Sequence, residues 1–234
     1  MNIDHINEPF GLDALLHIER LPVLRDARSY MISSYNRDYW NDDNIPVYLR
    51  KDEGEGTIAE IEGPGCIYRV WLGGGGGARF KFYFDGETEA RVILRFSGPN
   101  GEPEPQSRGI LPLTSGIQAD LGYPPMMLTG TKNGSHLETG ICYMPMPFER
   151  SCRIAIEPPV ERKYFQINYH LLPKGVSLRT FDPADIPQED LQKIRRVVDM
   201  WYRAGEPLKE SPHRSEGILN IKDGEEAVLL DLKE

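Results

Sequence analysis

A chain of 234 residues is long enough for one large domain or two small ones with a real core. Its 39% hydrophobic and 27% charged residues are those of a folded soluble protein rather than of a disordered tail. The formal charge of −9 argues against nucleic acid or an anionic membrane surface as a partner, because both need a positive field.

Several further classes drop out. No apolar run approaches the ~20 residues of a membrane helix. The amino terminus lacks a basic segment followed by an apolar stretch, so a cytoplasmic protein is expected. Cys66, Cys142 and Cys152 are odd in number and lack metal-ligand spacing, which predicts reduced, buried thiols. The 23 glycines and 19 prolines punctuate the chain at short intervals, the mark of many short strands and turns.

In chain order, Leu12, Leu15, Leu16 and Ile18 fall roughly at helical spacing and predict a short helix over 12–20, closed by Pro22. The stretch from Ser33 to Asn44 has neither period and reads as a loop. It is dense in hydrogen-bonding groups beside aromatics: Tyr35, Arg37, Trp40, Asn41, Asp42 and Asp43. An Asx-rich turn would account for the same residues. Asp38, Asp42, Asp43 and Asn44 are oxygen donors, but they lack the alternate spacing and the later bidentate Glu of a calcium loop. No metal or cofactor is expected.

Strand signals begin at Tyr48. Thr57-Ile58-Ala59-Glu60-Ile61 runs into the turn Gly63-Pro64-Gly65, and Cys66-Ile67-Tyr68-Arg69-Val70-Trp71-Leu72 follows. The five glycines 73–77 open a strand and not a helix, so they are no phosphate loop. In that strand Phe80, Phe82 and Phe84 share one face, while Arg79, Lys81 and Tyr83 share the other. Asp85-Gly86 is a hairpin signal leading to a candidate strand over 90–95. Prolines make 97–135 a loop-rich region, and Met144-Pro145-Met146-Pro147-Phe148 reads as an apolar loop packed on the core. Strands are predicted over 153–157 and 164–170. Leu191, Ile194, Val197, Val198 and Trp201 then mark a helix over about 188–204. Ala227 to Leu232 starts another strand, whose Val228-Leu229-Leu230-Asp231-Leu232 weakly repeats the pattern of Thr57-Ile58-Ala59-Glu60-Ile61. These elements predict a mainly antiparallel β-sandwich over 45–182, preceded by a helix and loop over 1–44. A linking helix over 183–206 and the start of a further, incomplete β-domain over 207–234 complete the division.

Ser33-Ser34-Tyr35-Asn36-Arg37, Asn41-Asp42-Asp43, the 63–72 segment, Phe82-Tyr83-Phe84-Asp85-Gly86-Glu87, Tyr143 to Phe148 and Tyr164 to Tyr169 together resemble glycoside hydrolase family 172. That family was long catalogued only as a bacterial domain of unknown function. The resemblance covers nearly the whole chain but only the amino-terminal half of the family fold. It implies a jelly-roll β-sandwich with a carboxy-terminal linking helix, assembly into trimers or hexamers, and retaining chemistry on α-furanosides such as fructofuranosides and arabinofuranosides. Family members carry a later acidic Gly-Thr-Gly-Thr-Glu-Asp-Tyr-like segment that this sequence lacks, so no catalytic carboxylate is assigned and the chain is expected to be inactive alone. Retention needs two carboxyl groups about 5 Å apart. The resemblance favours the 35–44 loop as a whole as the substrate-binding segment without fixing any single residue's role. By their chemistry Asp42 and Asp43 can hold sugar hydroxyls, Arg37 can orient a carboxylate and Trp40 can stack on a ring, with Tyr35 and Asn41 beside them. A non-catalytic jelly-roll module that binds carbohydrate or builds an assembly is the alternative.

Overall fold

The computed structural model describes residues 9–35, 48–73, 79–94, 127–132, 135–159, 164–203 and 217–228. Two antiparallel sheets form a β-sandwich. The strands are β1 (Arg28–Ser33), β2 (Arg50–Asp52), β3 (Glu55–Glu62), β4 (Gly65–Gly73), β5 (Arg79–Phe84), β6 (Val92–Leu94), β7 (Met127–Lys132), β8 (Ser135–Cys142), β9 (Met146–Phe148), β10 (Ser151–Glu157) and β11 (Tyr164–Leu171). One sheet has the order β1-β11-β4-β8-β7, with β9 also paired to β4; the other has the order β2-β3-β10-β5-β6. The chain passes between the sheets at β3–β4–β5 and again at β9–β10–β11, so each sheet is built from strands distant in sequence.

Alternation decides what lies between the sheets. Phe80, Phe82 and Phe84 of β5 are fully buried, as their period of two predicts. They meet the other sheet edge-on at Phe165, 5.7 Å between ring centroids, and stacked at Phe148, 6.4 Å. Ile67, Val70, Leu72, Ile154, Ile156 and Ile167 fill the same core. Each such side chain contributes roughly 1.5–3 kcal/mol by leaving water. Gly65 has to be glycine, since a Cβ there would lie 2.7 Å from the His170 carbonyl oxygen and 2.6 Å from the Phe148 ring. The three cysteines are buried and unpaired, with desolvation pushing the Cys142 thiol up to about 12.

Two helices complete the unit. Helix α1 (Leu12–Leu16) packs on α2 (Gln188–Tyr202), and Lys193 reaches Asp13 at 2.9 Å across the joint. Ile194, Val197 and Val198 of α2 are buried in the common core, joined by Leu12, Leu15 and Leu16 at its margin.

The sandwich begins earlier than the residue-45 boundary read from the sequence. β1 pairs along β11 in full register, and Ser34, placed by the sequence reading in a loop, continues the pairing. Its amide donates to the Phe165 carbonyl and its Oγ accepts from the Phe165 amide, at 3.1 and 3.2 Å. β1 escaped notice because most of its residues are exposed on both faces and leave no alternation to read. β7 and β8 also fall in or next to the region read as loop-rich, and the hairpin signal Asn133-Gly134 lies between them in the sequence. Residues 203–234 form a separate compact unit. In it Gly217 to Val228 contain a turn closed by the Glu225 amide on the Lys222 carbonyl, and no strand among the described residues; most of the strand expected over 227–232 lies outside them.

Asp85 ties the sheet ends together. Its φ of 52° and the 86° of Gly86 form the tight turn that the Asp-Gly pair predicts. Its carboxylate accepts from the amides of Arg150 and Ser151, at 2.6 and 3.1 Å, and from the Thr180 hydroxyl. Burial acts to raise this carboxyl, but the Thr180 and backbone hydrogen bonds outweigh it and hold the group below its ordinary value. A depressed carboxylate stabilises the fold above its unfolded-state pKa, and the benefit is lost as pH falls through the lower folded value. Asp85→Ala is therefore expected to cost about 1–3 kcal/mol at neutral pH, with the gap to the parent closing below about pH 4. Urea melts at pH 7 and pH 3 check this; equal losses at both would contradict it.

Candidate carbohydrate-binding face

On β4 and β11 the residues that alternate with the core point to the opposite face. Gln166 pairs with Trp71 and Asn168 with Arg69, while Phe165 pairs with Leu72 and Ile167 with Val70 inside. Nη1 of Arg69 donates to Gln166 Oε1 at 2.9 Å and to Asn168 Oδ1 at 3.1 Å. Two amide oxygens on the neighbouring strand thus fix the guanidinium, whose carbon lies 6.0 Å from the Trp71 ring centroid. The indole lies along the strand because Gly73 leaves it room; a Cβ there would come within 2.7 Å of it. β1 extends the face, with Met31 opposite Asn168 and Ser33 opposite Gln166. The resulting surface offers one cation, two amides, a hydroxyl and an indole. That mixture suits a polyhydroxylated ring, whose hydroxyls take the polar groups and whose C–H face takes the aromatic one.

Of the residues singled out from the sequence, the structure describes Tyr35. It is exposed just beyond β1, and its amide donates to Ser33 Oγ at 3.3 Å, which sets it beside this face. Arg37, Trp40, Asn41, Asp42 and Asp43, with the donors Asp38 and Asn44 of the metal reading, lie outside the described residues. Sequence reasoning missed Arg69, Trp71, Gln166 and Asn168 as candidates. They sat inside segments correctly read as strands, and the signal was the polar partner set that β4 and β11 present to each other.

The bulge between Asn168 and Tyr169 gives β4 one extra residue, Tyr68. Its ring is 4.7 Å from His170, and its hydroxyl accepts from the Gly11 amide at 2.9 Å, anchoring the segment before α1. Burial and the Arg25 charge keep His170 below its usual pKa.

A second polar cluster lies on the other sheet. Glu55 accepts from Arg153 and from the Tyr83 hydroxyl, both at 2.6 Å, and from Lys81 at 3.3 Å; Lys81 also reaches Glu157 at 3.0 Å. The Arg153 guanidinium stacks 3.5 Å from the Tyr83 centroid. Burial acts to raise Glu55, but hydrogen bonds from Arg153, Tyr83 and Lys81 prevail and keep it low. A carboxyl held ionised in this way is unfit to be a general acid at neutral pH, which needs a raised value. The cluster is a brace across the strands. Glu55→Gln should destabilise by about 1–3 kcal/mol at pH 7, with the loss shrinking as pH falls below the ordinary carboxylate range. Calorimetry of both forms across pH 3–8 measures it, and a loss that grows towards low pH would contradict the assignment.

Among the described residues no helix is long and apolar enough to cross a membrane, and no group of three or more His, Cys, Asp or Glu is placed to hold a metal ion. Compared with known proteins, the chain matches the family model for the GH172 first beta-sandwich domain over residues 25–189. Among curated proteins none matches. The matched span starts three residues before β1 and ends within the first turn of α2, so it coincides with the sandwich itself.

Proposed function

The chain belongs to glycoside hydrolase family 172, and from that premise we propose that it binds α-furanosides, fructofuranosides or arabinofuranosides, on the outer face of the β1-β11-β4 layer. The observation that carries the reading is the Arg69 guanidinium, held by Gln166 and Asn168 beside Trp71. An arginine so fixed loses little freedom on binding and can donate to neighbouring ring hydroxyls, while the indole accepts the C–H face. Tyr35 continues this surface, and the sequence after it carries Arg37, Trp40, Asn41, Asp42 and Asp43, residue types that supply further donors and acceptors for sugar hydroxyls.

Hydrolysis with retention requires a nucleophile and a protonated acid. Glu55 and Glu157 are both engaged by cations, so the reading assigns this sandwich the binding step and leaves the carboxylate pair to a part of the family fold beyond it. Little hydrolysis of aryl α-furanosides is expected from the 234-residue chain alone. Self-association into a homo-oligomer accompanies this reading, favoured by the exposed Met31 and Tyr30 on the edge strand β1.

Titration calorimetry with methyl α-arabinofuranoside and an α-fructofuranoside tests the proposal. Trp71→Ala and Arg69→Met should each weaken binding about tenfold, equivalent to about 1.4 kcal/mol, with Tm changed little because both side chains lie outside the core. Asp42→Ala with Asp43→Ala should weaken it as well. Unchanged affinity in the Trp71 and Arg69 variants would sink the assignment, and rapid turnover by the isolated chain would relocate the chemistry to its own carboxylates.

A further inference from the structure

A cavity of about 260 Å³ lies between α1, the Met144–Pro147 stretch, the segment 177–187 and the start of α2. All of its walls belong to the compact unit that contains the sandwich. One part is apolar, with Phe10, Pro147 and Phe181 among its residues. The other is polar: Lys193 bridges Asp13 Oδ2 at 2.9 Å and Asp190 Oδ1 at 3.7 Å, and Asp182 uses Oδ1 to accept the Ala184 amide at 2.9 Å. In each of these carboxylates the second oxygen accepts no hydrogen bond among the described residues, although the Arg91 charge acts on Asp182, so hydrogen-bond acceptors are in excess.

The chemistry of the wall selects its ligand. An anion would meet four carboxylates, those of Asp13, Asp182, Asp185 and Asp190, against two cations, Lys193 and Arg179, each already paired with an aspartate. A cation would find the place between Asp13 and Asp190 already taken by the Lys193 ammonium. A neutral molecule bearing several hydroxyls offers donors to the spare carboxylate oxygens, an acceptor to Lys193, and a C–H surface to Phe10 and Phe181. The volume is below the ~300–1,000 Å³ of pockets for drug-sized ligands, which matches one sugar ring. We propose that this cavity is a binding site for a single neutral monosaccharide or a polyol of that size, separate from the face formed by Arg69 and Trp71. A ligand there bridges α1 and α2 at the joint now spanned by the Lys193–Asp13 ion pair.

The test uses the full chain with free L-arabinose, D-fructose and D-glucose as probes, followed by saturation-transfer NMR and calorimetry. Ser177 lines the cavity from an exposed position, so Ser177→Phe narrows the cavity without entering the core. Asp190→Asn keeps the shape of the side chain and removes its charge. The proposal expects saturable millimolar binding of at least one probe, weakened tenfold or more by Ser177→Phe and by Asp190→Asn, and unchanged by Trp71→Ala. If Asp190→Asn fails to fold, Ser177→Phe decides alone. Absence of saturable binding by any of the three sugars overturns the proposal, and so does binding that survives Ser177→Phe or is lost in Trp71→Ala.

Discussion

The antiparallel register of β4 against β11 is the constraint on which the core and the candidate face both depend. Because successive side chains of a strand point to opposite faces, pairing Phe165 with Leu72 and Ile167 with Val70 in the core obliges Gln166, Trp71, Asn168 and Arg69 to meet outside. A slip of one residue would drive Arg69 into the apolar interior and turn Val70 to water, so burial of the inner set enforces the arrangement of the outer one. The bulge at Tyr68 is the one departure from this pairing between the two strands. It keeps Tyr169 and Ile67 paired on the inner side while freeing the Tyr68 ring to hold the Gly11 amide.

Other elements of the fold brace that ladder from a distance. Asp85 fastens the turn after β5 to the start of β10 and to Thr180, and the Glu55 cluster clamps β3, β5 and β10 on the far surface. Both carboxylates are held ionised by hydrogen bonds, so acid loosens the second sheet before it touches the apolar contacts at Phe80–Phe165 and Phe84–Phe148. The helices use a third device, an apolar stripe joined by the Lys193–Asp13 contact, and that joint walls the small cavity.

How much of this was legible in the sequence follows from how cleanly each strand alternates. β5 could be read residue by residue, because three phenylalanines at spacing two leave one choice of inner face. Even there, Tyr83 was assigned to the polar side and does lie among polar groups, yet it is buried, since the Arg153 guanidinium covers its ring. β4 was legible as a strand but not as a face: the bulge at Tyr68 puts Ile67 and Val70, three residues apart, on the same inner side, which breaks the period of two just before Arg69. β1 was invisible because its pairing to β11 comes from backbone hydrogen bonds and a stacked Tyr30–Tyr169 pair, neither of which leaves a hydropathy pattern. The family was legible from motifs spread along the chain. The binding role proposed for individual residues was not, because it rests on side chains about 100 positions apart that only the sheet brings together.

We propose that the ladder which buries Val70 and Ile167 presents Trp71 to a sugar. The chain has three tryptophans, Trp40, Trp71 and Trp201, so the indole N–H signals in a nitrogen–proton correlation spectrum can be assigned with single Phe substitutions. Titration with methyl α-arabinofuranoside should shift the Trp71 signal with the same midpoint as the heat of binding. A Trp71 signal that stays in place while the ligand saturates the protein would contradict the account.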